Sequence, residues 1–138
     1  MENIIVVAVK GIILHNDKAL IVQRSADDEI GANTWEFVSG KIDFGENMED
    51  ALTREAREEA GLSITVDKLL YAGTFKTDEH RQVVILTYSC IAYNYNVTLS
   101  NEHKNYLWAD KKQMVSLLSK PIVDDLYRNS VWECIFPE

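Results

Sequence analysis

The stretch from Gly40 to Leu62, GKIDFGENMEDALTREAREEAGL, constrains this chain more than any other, because its acids recur where a helix should be apolar. Glu55, Glu58 and Glu59 are three and four positions apart, so at about 100° per residue they share one side of a helix. With Leu52 at zero, Met48, Ala51, Ala56 and Ala60 fall between about -100° and about +80°. Glu55 and Glu59 fall at about -60° and about -20°, inside that apolar sector, with Glu58 on its rim near about -120°. Asp50, Thr53, Arg54 and Arg57 hold the opposite side. A solvated acidic face partnered by Arg54 and Arg57 is the plain alternative, but it leaves two carboxylates turned toward the core. There they would be poorly hydrated and would repel one another unless neutralised. A hard divalent cation answers both problems, since Mg²⁺ takes oxygen ligands and is commonly shared between protein carboxylates and substrate phosphates.

The flanks of the helix have terminal chemistry. It is predicted to begin near Glu46 or Asn47, after a loop over Ser39–Gly45 in which Gly40 and Gly45 relax the backbone. Gly61 falls where a left-handed cap is wanted. Arg54, four residues before Glu58, is placed to pin that carboxylate or to form a plain surface ion pair. Glu46 either caps the helix or approaches the acids from the loop.

Around this segment the chain alternates strands, turns and helices. Ile4 to Leu14 is rich in Ile and Val and reads as a strand with a bend, bulge or change of partner at Gly11. Ala19 to Gln23 completes a hairpin, Ser25 to Asn33 is a polar loop, and Trp35 to Val38 is a short strand with both aromatics on one face. Leu69 to Phe75 and Gln82 to Tyr93 are strands around a turn at Thr77–His80, the second with the β-branched density of a central strand. Asn94 to Asn105 is polar, and Tyr106 to Trp108 is a short strand. Asp110 is placed to cap a helix over Lys111 to Leu118, and Pro121 to open a last helix over about Ile122 to Ser130. The sum is an α/β fold: a mixed sheet with the acidic helix on one face and C-terminal helices on the other.

At 138 residues the chain is expected to form a single domain over 1–138. A net charge of -8 disfavours a nucleic acid polymer, where affinity rests on neutralising phosphates, but not a small phosphorylated substrate whose charge is met by metal ions. Cys90 and Cys134 belong to no metal-ligand spacing and read as reduced thiols. The opening MENIIVVAVKG has no basic leader or cleavage site, and is far shorter than the roughly 20 residues of a membrane span. A cytoplasmic protein without a membrane partner is expected.

Gly40, Glu46, Arg54-Glu55, Ala56, Arg57, Glu58-Glu59 and Ala60-Gly61-Leu62 resemble the Nudix box spacing for spacing, over 23 positions without a gap. Leu20–Arg24, Trp35-Glu36-Phe37 and Gly40-Lys41-Ile42 resemble the small nucleoside triphosphate pyrophosphatase, MutT-like, branch of that family. Glu102-His103 followed by Trp108 is similar to a segment common in these small members. The chain departs from the usual Pro-Gly-Gly with Val38-Ser39-Gly40, which matters if position 39 needs a positive φ or close substrate approach. Ala56 stands where the family prefers a larger aliphatic.

The resemblance implies an α/β/α sandwich and hydrolysis of a nucleoside diphosphate linked to another moiety, with one to three Mg²⁺, or Mn²⁺, ions bound. It implies Glu55, Glu58 and Glu59 as metal ligands, Gly40 completing the shell through its carbonyl, and Glu58 or Glu59 also contacting the attacking water. Glu102 is the candidate base or extra ligand, and Arg54 supports the helix acids. The favoured substrate is a (deoxy)nucleoside triphosphate, by elimination. The alternatives are a nucleotide sugar, ADP-ribose, a dinucleoside polyphosphate, or a non-catalytic nucleotide-binding role. Arg24 is a candidate phosphate contact or a solvated strand-end arginine. Trp35 and Phe37 are candidates for stacking on a base or for the core. Phe75, His80 and Arg81 flank the facing turn, and His103 is placed to order Glu102. Monomer and homodimer both remain open.

Overall fold

Strand β1 (Ile4–His15) is the spine of the protein, as seen in a computed structural model that describes residues 2–137. The single domain expected over 1–138 includes Met1 and Glu138, which lie outside the described residues. Along one edge β1 runs parallel to β6 (Arg81–Ala92), from Ile4 opposite Arg81 to Leu14 opposite Ile91. Its other edge takes β4 (Val38–Lys41) antiparallel, and then β2 (Lys18–Arg24) through a tight turn at the end. Strand β2 carries β3 (Trp35–Glu36) on one side and β7 (His103–Ala109) on the other, while β5 (Ile64–Asp78) closes the far edge against β6. The result is a seven-stranded mixed sheet.

Strand periodicity sorts the apolar side chains onto two faces. Val9, Ile13, Leu20, Val22 and Val38 pack against Ala51, Leu52, Ala56 and Ala60 of helix α1 (Met48–Ala60). Ile12, Ala19, Ile21 and Phe37 pack on the other face beneath α2 (Lys111–Leu117), α3 (Lys120–Arg128) and α4 (Val131–Ile135). This is the α/β/α sandwich expected, with the extra short helix α4. Asp110 caps α2 in a reciprocal box with Gln113, and Pro121 sits in the first turn of α3. Cys90 is buried in the first core and Cys134 is exposed.

Two expectations need correcting. Gly11 does not bend or bulge β1, whose pairing with β6 runs through it unbroken, opposite Tyr88. The expected change of partner is found instead on the other edge, where pairing with β4 ends at Gly11 opposite Val38 and pairing with β2 begins at Leu14 opposite Ala19. The reason for glycine at position 11 is steric: a Cβ there would meet Leu52 at 3.1 Å and Cys90 Sγ at 3.3 Å, so the missing side chain lets α1 settle onto the sheet. Leu52 is fully buried at this contact, and truncating it to Ala should cost about 2–5 kcal/mol. Ser39–Lys41 is not loop but part of β4, because these residues find partners in Ala8–Lys10 of β1. Trp35-Glu36 and Val38 correspondingly belong to two strands, one paired to β2 and one to β1.

Candidate active site

Helix α1 is fixed at both ends before its acids come into play. Asn47 caps the first turn by accepting from the Asp50 amide at 2.8 Å. Gly61 ends the helix at φ 66, and its amide returns to the Ala56 and Arg57 carbonyls. The chain then comes back over this end. Thr98 N–H donates to the Ala60 carbonyl at 2.9 Å and Ser100 N–H to the Glu59 carbonyl at 3.2 Å. Those bonds hold the loop that carries Glu102 beside the last turn of α1, where Glu59 stands.

Glu59 is the buried member of the helix acids, at 6 % exposure. Burial pushes its carboxyl up to about 9, helped by a hydrogen bond with Glu55 and by the charges of Glu55, Glu102 and Glu36. Oxygens of Glu59 and Glu102 and a ring nitrogen of His103 lie within 4.8 Å of one another. Glu55 is nearly as enclosed, and accepts from Arg54 at 2.7 Å. Glu58 stands apart with 59 % of its side chain exposed, tied to the others through Arg54 at 3.3 Å.

Arg54 organises the rim. Its guanidinium donates to Glu46 at 2.8 and 3.0 Å, to Glu55, to Glu58, and to the Lys41 carbonyl at 3.1 Å. It therefore clamps the 41–46 loop onto the helix, and the Glu46 carboxyl falls to about 2 because Arg54 and the Asp43 amide bind its charged form. Glu46 closes this loop and holds Arg54.

Strand pairing brings the remaining groups to the α1 side. Glu36 is paired with Val22 and Gly40 with Val9, both on the α1 face. Glu36 accepts from His103 Nε2 at 2.8 Å and from Arg24 at 3.2 Å, and Arg24 also donates to Asp28 at 2.8 Å. Ser39 has an ordinary extended backbone paired to Lys10, so no positive φ is required at this position.

These groups surround a cleft of about 510 Å³ lined by Glu55, Glu59, Glu102, Gly40, Ser39, Arg24, Lys41, Phe75, Thr77 and Arg81. Ser39, Phe75 and Ile85 also line a second cavity of about 810 Å³ between the sheet and α3, which holds Lys10, Tyr71, Asp124 and Asp125. Of the residues singled out from the sequence, the first cleft gathers Gly40, Glu55, Glu59, Glu102, Arg24 and Phe75, with Arg54 behind them and Glu58 at the rim. Phe37 is 1 % exposed and Trp35 packs beside it beneath the C-terminal helices, so both belong to that core, and Phe37 also lines the second cavity. His80 lies at the β5–β6 turn and bonds Asn3, while its neighbour Arg81 faces the cleft. Sequence reasoning missed Glu36. Its signal was available: if Trp35 and Phe37 share one face, Glu36 must occupy the other.

A buried, mutually repelling acid set beside cationic side chains suits hydrolysis of a phosphoric anhydride, and this is the class of enzyme the fold and cleft define. The chain belongs to the NUDIX family, whose NUDIX domain matches residues 5–129. It is similar to nucleoside triphosphatase NudI of Escherichia coli O17:K52:H18 (strain UMN026 / ExPEC), 28% identical over 115 residues that cover 75% of this chain and 81% of that protein. The fold is also that of the MutT protein from Methanosarcina mazei Go1, with a TM-score of 0.81, 21% identity, and coverage of 94% of this chain and 96% of that one. The MutT NUDIX hydrolase from Burkholderia pseudomallei superposes with a TM-score of 0.76 at 21% identity, over 91% of this chain and 98% of that one. Among the described residues no helix is long and apolar enough to cross a membrane.

Proposed function

We propose that this protein hydrolyses a (deoxy)nucleoside triphosphate to the monophosphate and pyrophosphate, using Mg²⁺, with Mn²⁺ able to substitute. The observation that carries this reading is the buried Glu59 carboxyl, crowded by Glu55, Glu102 and Glu36 in a cleft that also presents Arg24, Lys41 and Arg81. So many acids in one partly dry place fit a site for divalent cations, and the donors are the hard oxygens that Mg²⁺ prefers. Glu55 and Glu59, with the Gly40 carbonyl, would hold the metal, Glu58 would join from the rim, and Glu102 would complete the set from the facing loop. When bound, such ions neutralise phosphate charge and lower the pKa of coordinated water.

The chain's own residues account for binding and orientation. Arg24, Lys41 and Arg81 supply positive charge for the phosphates, and Arg54 keeps the Glu55 carboxylate aimed by a 2.7 Å bond. Glu102, or Glu58 or Glu59, accepts a proton from the attacking water. The water oxygen bonds to phosphorus as the anhydride bond breaks, and pyrophosphate departs. The nucleoside fits the adjoining 810 Å³ cavity, which meets the acidic cleft at Ser39, Phe75 and Ile85. Relatives named nucleoside triphosphatase support a triphosphate over the other Nudix substrates. A cytoplasmic setting, as monomer or homodimer, is consistent with this chemistry.

The test is a metal-dependent screen against nucleoside triphosphates, nucleotide sugars, ADP-ribose and dinucleoside polyphosphates, with products identified. Monophosphate plus pyrophosphate from a triphosphate is expected. Faster turnover of another class would replace the substrate, and no turnover of any would overturn the enzymatic reading.

A further inference from the structure

His103 is buried, with 2 % of its side chain exposed, at the start of β7. Its Nε2 is committed to the Glu36 carboxylate at 2.8 Å. An ionised carboxylate only accepts, so this bond fixes the proton on Nε2 and leaves the lone pair on Nδ1. Nδ1 is fully enclosed and has no hydrogen-bond partner among the described residues. A buried polar atom left unpaired in this way calls for a ligand or an enclosed water. The neighbouring acids say which. A nitrogen of this ring, one oxygen of Glu59 and one of Glu102 all lie within 4.8 Å of one another, close enough to share a single ion.

We propose that Nδ1 of His103 is a nitrogen ligand to a divalent cation held between Glu59 and Glu102, with the Glu36 carboxylate orienting the ring from behind. A carboxylate–histidine–metal arrangement of this kind fixes the tautomer and raises the basicity of the ligating nitrogen. Arg24 extends the support by donating to Glu36 and to Asp28. The consequence is selectivity. Two carboxylates alone suit Mg²⁺, whereas an added imidazole nitrogen favours first-row transition ions over Mg²⁺, the hard Mn²⁺ modestly and Co²⁺ more strongly. The inference rests on the reading that this cleft holds a divalent cation.

The test uses the full chain, stripped of metal and given substoichiometric Mn²⁺, with pulsed electron paramagnetic resonance reading nitrogen coupling to the manganese. The chain has three histidines, so assignment needs three variants. Coupling to a directly bound imidazole nitrogen is expected in the wild type, in His15→Gln and in His80→Gln, and is expected to vanish in His103→Gln. Uniform heavy-nitrogen labelling of histidine in the wild type should change the coupling pattern, a readout that needs no variant to fold. The Mn²⁺ over Mg²⁺ binding preference should fall by about tenfold in His103→Gln. Bound manganese without histidine nitrogen coupling would overturn this assignment and leave the metal site standing. Failure to bind manganese at all would overturn both.

Discussion

Glu55 packs directly over Gly40, its carboxylate occupying the space that a Cβ at position 40 would fill. The glycine of β4 is therefore needed for the position of a helix acid, in addition to any contact its own carbonyl makes. The box glycine and the helix glutamate are one steric unit, joined by the pairing of Gly40 with Val9 and the packing of α1 on that strand.

Gly40→Ala should consequently separate activity from stability. Its backbone is in a strand, so alanine is conformationally acceptable, and the atoms it meets are the far end of a flexible side chain. Glu55 must swing away, taking its carboxylate off the cleft. The expected outcome is a melting temperature within a few degrees of wild type and a fall of about tenfold to a hundredfold in kcat/KM, the range seen when metal-ligand geometry is disturbed. Steady-state kinetics beside a thermal melt checks this, and full activity in the variant would refute the steric coupling.

Glu59 gives a pH prediction with a definite sign. Its carboxyl rises from 4.5 to about 9 in the metal-free fold, so the folded chain holds that proton more tightly than the unfolded chain does. Stability from this source is fully present below about 4.5 and drains away as pH rises through about 9. Glu59→Gln mimics the protonated form and should flatten the profile, making the metal-free variant more stable than wild type at pH 8. Divalent metal should restore wild-type stability at high pH and do little for the variant. Thermal melts in chelator and in Mg²⁺ across pH 5–9 read both effects, and parallel profiles for the two proteins would dismiss the buried-acid account.

Arg54→Lys should uncouple the rim at near-constant charge. Lysine cannot reproduce the forked contacts to Glu46, Glu55 and the Lys41 carbonyl, so the 41–46 loop should loosen and Glu55 lose its aim. We expect kcat to fall by about tenfold or more, with amide exchange accelerated in residues 41–46. The acid side of the stability profile should change too. The wild-type Glu46–Arg54 contact contributes stability above about 4.5 that is lost as pH falls through about 2, and Arg54→Lys should reduce that dependence. Unchanged exchange in the loop would show that Arg54 is not its clamp.

The helix acids were legible from the sequence because a helix has a fixed period, and a carboxylate phased onto leucine and alanine is an anomaly that spacing alone exposes. Glu55 and Glu59 stand in that sector, and Glu58 on its rim is the exposed one. The two-faced sheet was legible for the same reason. Other features depend on which strands meet. Glu36 reaches His103 only because β3 and β7 both flank β2, a relationship with no local trace. At Gly11 the change of partner is legible, but the steric need for glycine is not, because Leu52, which fills the space of its missing side chain, lies 41 residues on in the chain. That Phe37 and Trp35 join the core under the C-terminal helices, with Phe37 also lining the second cavity, depends on helices that lie far along the chain.

The second cavity offers the sharpest test of where the nucleoside sits. Lys10 projects into it from β1, opposite Asp125 of α3, and burial lowers the lysine's pKa while Asp125 and Glu36 resist that shift. If the base sits here, a half-buried cation facing a carboxylate is suited to reading its hydrogen-bonding edges rather than to clamping phosphate, because the acids of the first cleft lie on the α1 side of β1. Lys10→Met should keep the volume and apolar stem while removing the charge. The expected result is a KM raised by about tenfold for the preferred nucleotide, with kcat within about threefold, and a narrower spread of kcat/KM among the different bases. Asp125→Asn should move the same selectivity without changing the metal dependence. If Lys10→Met instead lowered kcat equally for every base and left KM alone, the cavity would not be where the base is read.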